Sequence, residues 1–340
     1  MKTGSLVRIG VSIGASGWIA IAPVAASSAP QLEAWAGVVG GAGTGSIPDN
    51  CTTFGPPAEL APMFGSVALG MQVLGGNAAC GYSGGWTDPV APSGPLPNSA
   101  SLAPVILGNP GFSGFFDGTS SSQANYGTLA AAAHANISGG TPGSPVALAD
   151  SQAASFFDDT LTLTSPQLAN GSLAYVRYRF AVSGDLSALG APASGFFGST
   201  WGQLSLQMDN GPVYGVVGAT VTRGGLGIVN GGGPPAGWTT STGALSGSST
   251  FDSLLLPVTV GQSWDLRVGL LGWAYGTADT SHFDADLIGI DVFDSQNAPV
   301  ASFSIASASG TQYVPEPSSG SLLLCGLLTI ARARRRRARR

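Results

Sequence analysis

The segment Ala174–Val182, "AYVRYRFAV", decides the fold. Val176, Tyr178, Phe180 and Val182 fall on one side of an extended chain, and Tyr175, Arg177 and Arg179 on the other. A period of two is the signature of a half-buried β-strand, because successive side chains point to opposite faces. The same alternation recurs on both sides of it. "DTLTLTS" sets Thr160, Thr162 and Thr164 against Leu161 and Leu163. "WGQLSLQMD" sets Leu204, Leu206 and Met208 against Gln203, Ser205 and Gln207, and "SWDLRVGLL" aligns Trp264, Leu266, Val268 and Leu270. Gly, Asn and Ser turns separate these runs. The pattern predicts antiparallel sheets with one face in water, stacked as an all-β sandwich.

Composition agrees. There are 52 glycines and 23 prolines, while charged residues make up only 9%, against roughly 25% in an average domain. Apolar and aromatic residues recur throughout, which excludes disorder driven by net charge. The alanine-rich "YGTLAAAAHANISG" is open to helix or strand; Gly127 and the flanking turns favour strand. Residues 30–100 read differently. "PDNCTTFGPPAELAPMF" and "DPVAPSGPLPNSASLAP" are Pro-rich, so this region is expected to be a loop-rich extension packed on a sandwich spanning 101–313.

Charge is distributed unevenly. Between Arg8 and Arg332 the chain carries four cations (Arg177, Arg179, Arg223 and Arg267) against 18 Asp and Glu, or about −14. Such a body repels nucleic acid, whose binding requires cations for its phosphates. The remaining cations are at the ends. Lys2 and Arg8 precede an apolar stretch followed by Ala25, Ala26 and Ala29, the layout of a secretory signal peptide over residues 1–29. At the other end, "VPEPSSGSLLLCGLLTIARARRRRARR" runs from Val314 to Arg340. Pro315 and Pro317 keep the chain extended. A helix from Ser318 to Ala333 would be about 24 Å long, enough to cross a bilayer of about 30 Å with snorkelling arginines. Arg332, Arg334, Arg335, Arg336, Arg337, Arg339 and Arg340 would stay in the cytoplasm by the positive-inside rule.

The order "VPEP", apolar helix, arginine cluster resembles the PEP-CTERM sorting signal of exopolysaccharide-producing Gram-negative bacteria. The resemblance implies recognition by an exosortase-like membrane peptidase at Pro315, Glu316 and Pro317. It also implies passage through an inner-membrane intermediate held by the C-terminal helix, and delivery to the cell surface or biofilm matrix. Weaker likenesses over residues 112–313, including "HFDADLIGIDVFDSQNAPVASFSIASASGTQY", suggest a jelly-roll-like ectodomain with no common enzymatic activity.

Cys51 and Cys80 are the pair available for a disulfide in an oxidising compartment; Cys325 lies in the apolar segment. "GYSGG" matches G-x-S-x-G at Ser83, but "WTDPVAPSGP" follows where a nucleophile elbow needs a helix. His134 and His282 are the two histidines available to a triad. On a strand, His282, Asp284 and Asp286 share a face and are the weak candidates for a metal, with calcium the ion suited to carboxylates; no cofactor is otherwise expected. Trp201, Trp238, Trp264 and Trp273, with Tyr175, are candidates for a sugar-stacking platform, with Trp238 expected on a loop. The expected function is therefore that of an exported, non-catalytic, structural protein associated with exopolysaccharide, with a lectin-like module as the alternative.

Overall fold

The structure, a computed structural model, describes residues 29–43, 63, 80–86, 94–109, 112–139, 146–188, 198–222, 225–229 and 236–313. The strands are β1 (Gln31–Gly43), β2 (Cys80–Trp86), β3 (Leu96–Asn109), β4 (Phe112–Asn125), β5 (Thr128–Gly139) and β6 (Val146–Thr164). They continue as β7 (Leu173–Ala188), β8 (Ser199–Met208), β9 (Val213–Thr222), β10 (Gly225–Val229) and β11 (Trp238–Ser241). The last are β12 (Ala244–Asp252), β13 (Leu256–Thr259), β14 (Ser263–Tyr275), β15 (Ala278–Asp294) and β16 (Ser304–Ser307). They form two antiparallel sheets. The first runs β10-β9-β8-β14-β6-β1-β2, with β16 also on β6; the second runs β11-β12-β7-β15-β5-β4-β3, with β13 on β7.

The deciding segment lies in β7, whose residues alternate strictly between buried and less buried along its length. Its inner residues meet those of β6, β8 and β14 in one core that includes Phe157, Tyr178, Phe180, Leu204, Leu266 and Phe283. Where Phe283 crosses between the layers, the neighbouring strands carry glycine. A Cβ at Gly202 of the first sheet would lie 2.6 Å from the ring, and one at Gly184 of the second 2.8 Å. Toward the other end the interior thins to alanine and serine. There the layers approach closely enough for direct links: Ser151 Oγ donates to the Thr119 carbonyl (2.6 Å), and Ser155 Oγ to that of Ala130 (3.2 Å). The Ala-rich segment forms β5, as the flanking turns suggested; Gly127 closes the β4–β5 hairpin with φ of 81°, a conformation glycine adopts without steric cost.

Two expectations are corrected. Residues 30–100 are not merely a loop-rich extension, because β1 is an integral strand of the first sheet, paired to β6 from Gln31↔Asp158 to Gly43↔Val146 and to β2 on its other side. Residues 32–40 are all buried, so β1 has no wet face to produce alternation. Nor is the outer face of the first sheet simply solvated. In β6, every residue from Ala149 to Leu161 is buried on both faces, and Ser205, expected outside, is fully buried. Met63, itself buried, reaches the neighbourhood of Gly269 and Phe156 on that outer face.

Both ends of the body converge on β6. β1 pairs with it up to Asp158, and β16 continues on the same side from Ser307↔Leu161 to Ser304↔Thr164. Between these two pairings sits Asp159, 1% exposed. Its carboxylate accepts hydrogen bonds from Ser307 Oγ (2.5 Å), Ser309 N (3.0 Å), Ser309 Oγ (2.6 Å) and Tyr313 Oη (2.6 Å). The Tyr313 ring stacks on Phe157 at 6.2 Å, and burial beside Asp159 pushes its hydroxyl pKa well above the usual value.

Candidate functional site

The expected sorting motif Pro315–Pro317, the expected arginine anchor from Arg332 to Arg340, the expected signal peptide up to residue 28 and Cys51 lie outside the described residues. Cys80 opens β2 opposite Gly41. Ser83 lies within β2 on the first sheet, whereas His134 and His282 belong to β5 and β15 of the second.

The expected Trp238 glycan contact is corrected by the fold. Trp238 opens strand β11 and is 8% exposed. Its ring enters the core over Gly184, where a Cβ would stand 2.9 Å from it. A Pro-rich approach suggested a loop, but the slot that receives the ring is made by a distant strand. Trp264 is also internal, donating its Nε1 hydrogen to the Tyr178 hydroxyl at 2.9 Å. Tyr175 is on the outer side of the second sheet, so the five aromatics do not form one platform.

The outer face of the second sheet is small and polar. Pro97, Ser99, Ser121, Ala130 and Ala132 line adjoining open hollows of about 620 and 540 Å³, bordered by His282 and Asp284 in one and by His134 and Asp279 in the other. His282, Asp284 and Asp286 do share this face, but a bulge between Thr280 and Phe283 offsets His282 toward Asp185 of β7. Among the described residues, no three His, Cys, Asp or Glu side chains gather as a metal site. Burial pushes the Asp284 carboxyl above its usual range. His134 Nδ1 lies 3.8 Å from Asp279 Oδ1; the pairing raises the imidazole pKa and lowers that of the carboxyl. Farther along, Arg177 and Arg179 both reach Asp252 and Asp291, at 2.7 to 3.5 Å, and Arg177 lies 5.1 Å over the Phe293 ring.

The outer face of the first sheet is aromatic. Register places Thr220, Trp201, Trp273 and Gln152 side by side on β9, β8, β14 and β6. Trp201 and Trp273 are partly exposed, as is Tyr275, whose ring stands 5.9 Å from Trp273 at 54°. Beneath them is Asp150, 3% exposed. It accepts the Trp273 Nε1 hydrogen at 2.6 Å and a longer bond from Gln152 Nε2 at 3.4 Å. Burial pushes its carboxyl pKa up to about 7, outweighing the lowering by these two donors. Among the described residues, the buried atoms Trp201 Nε1, Gln152 Oε1 and Thr220 Oγ1 find no hydrogen-bond partner, an uncommon state for buried polar atoms. The sequence had singled out Trp201 and Trp273; Asp150 and Gln152 carried no signal, since "ALADSQ" resembles any polar strand start. The constellation can hold an apolar ring face above and hydroxyl groups at its edge.

No protein-family model, curated protein or solved structure matches the chain.

Proposed function

We propose that this chain is an exported, non-catalytic protein of the cell surface or extracellular matrix, structural in role and associated with exopolysaccharide. On this reading residues 1–29 direct export. The Val314–Arg340 segment holds the chain in the inner membrane until an exosortase-like peptidase processes it at Pro315–Pro317. The observation that carries the proposal is that, among the described residues, the first strand β1 and the closing segment to Tyr313, bound to Asp159, meet on the same strand β6, which supports reading the described body as one unit carried between the two address segments. A body fastened at its exit by four hydrogen bonds to one buried carboxylate suits a tethered module, since hydrogen bonds to charged groups are each worth about 1.5–3 kcal/mol. The placement of Ser83 and the two histidines on different sheets favours a non-catalytic role. The arrangement is read as jelly-roll-like because successive strands such as β5–β6, β6–β7, β7–β8 and β14–β15 change sheets.

The test is the intact mass and cell fraction of the mature protein in an exosortase-bearing host. Loss of the residues beyond Pro315–Pro317, with the body outside the cytoplasm, is the expected result. A mature chain that keeps Arg340 and remains in the cytoplasm would refute it.

A further inference from the structure

We propose that the outer face of the first sheet carries a binding site for an uncharged polysaccharide, centred on Trp201, Trp273 and Tyr275. The proposal deepens the matrix-associated reading above by assigning the place where the polymer is held. Three observations converge on it. The first is shape: the tilted Trp273–Tyr275 pair and Trp201, directly opposite on β8, leave aromatic surface partly open. A pyranose has an apolar C–H face that stacks on such rings and hydroxyls around its rim. The second is preorganisation: the 2.6 Å bond from Trp273 Nε1 to Asp150 fixes the indole, so little side-chain entropy remains to be lost on binding. The third is unmet hydrogen bonding. Among the described residues, the buried atoms Thr220 Oγ1, Trp201 Nε1 and Gln152 Oε1 find no partner in the same transverse row. They supply donor and acceptor capacity suited to hydroxyl groups rather than to one charged species. Four adjacent strands span ~14 Å, the length of a short oligosaccharide lying across them.

Charge decides against an anionic polymer. Among the described residues on this face, the cation is Arg267, six register positions from Trp273 along β14, and it is bound to Asp158 through Nε (2.7 Å) and Nη2 (2.6 Å). Among the described residues lining the hollows of the second sheet's acidic outer face, no Phe, Trp or Tyr side chain is present.

The test is affinity electrophoresis of the purified full chain, in mild detergent, through native gels cast with dextran, galactomannan or mixed-linkage β-glucan, and with alginate as the anionic comparison. At least one neutral polymer should retard the chain. Trp201→Ala and Trp273→Ala should each weaken that retardation by about tenfold, while Tyr175→Ala on the other sheet should leave it unchanged. Should either alanine variant fail to fold, Trp201→Phe and the protection of wild-type tryptophans from acrylamide quenching by the same polymer provide the readout. Absence of retardation by all three neutral polymers, preference for alginate, or full binding by folded tryptophan variants would each overturn the site. Because these measurements use purified protein, a binding chain that is not exported would refute only the matrix role, and an exported chain that binds nothing would refute only the site.

Discussion

β14 and β15 are joined through Gly276, yet they face the outside on opposite layers. On β14 the outward residues Gly269, Leu271 and Trp273 sit among Phe156, Ala154 and Gln152 of β6, and most of them are buried. On β15 the outward residues Asp279, His282, Asp284 and Asp286 sit among Ala130, His134, Ser183 and Asp185, and all are at least partly in water. Both strands alternate, and both fill the shared interior with Leu, Val or Phe. The difference lies wholly in the second set of residues. Alternation therefore specifies which face meets the other sheet, but it does not specify that the remaining face is free. Around Phe156, Ala154 and Leu271 the first outer face contributes to stability as a second core, while Trp201, Trp273 and Tyr275 keep one part of it open; the second outer face contributes less.

Phe156 is 1% exposed on the first outer face and gives the largest expected effect there. Phe156→Ala should cost about 3–5 kcal/mol, read as a lower urea midpoint at unchanged m-value. A loss under about 0.5 kcal/mol, the size expected at an ordinary surface site, would show that this face is not a core.

Asp150 makes the same face sensitive to pH. Burial raises its carboxyl from 3.8 to about 7. Its contribution to stability is therefore fully present below the unfolded value and is lost as pH rises through about 7. Asp150→Asn should remove that loss, making the variant more stable than the wild type at pH 8 by about 2–4 kcal/mol. Urea unfolding at pH 5 and pH 8 checks this, and an unchanged difference between the two pH values would sink it.

Smaller effects belong to the second face. Asp291 receives both arginines, but it and they remain roughly one-third exposed. Asp291→Ala should cost only about 0.5–1 kcal/mol, less in high salt, as thermal melts at two ionic strengths would reveal. The smallest change is expected at His134. Its raised pKa means that the Asp279 interaction supports the fold below the unfolded histidine value and fades as pH rises through the folded one. NMR titration should give a higher midpoint for His134 in the wild type than in Asp279→Asn, and equal midpoints would dissolve the pair.

These contrasts explain what could be read from residue order. β7 was legible because one of its faces is buried and the other polar. β1, "QLEAWAGVVGGAG", was not, because a strand covered on both sides loses its period and its glycines read as loop. Trp238 could not be placed from its Pro-rich surroundings, since Gly184, which admits its ring, belongs to β7. The candidate site was half visible for a similar reason. Tryptophans announce themselves by type, but Asp150 becomes part of the site only through register, 123 residues from the indole it binds.

The meeting of both ends on β6 has a consequence for the order of assembly. A polypeptide made from its N-terminus can lay β1 beside β6 early, yet the flank beyond Asp158 stays vacant until Ser304–Ser307 is made, and Asp159 gains its tyrosine donor only with Tyr313. The finished fold thus behaves like a zip whose slider is its final segment: a product truncated a few dozen residues early would leave a bare carboxylate in an apolar interior and be an easy target for proteolysis.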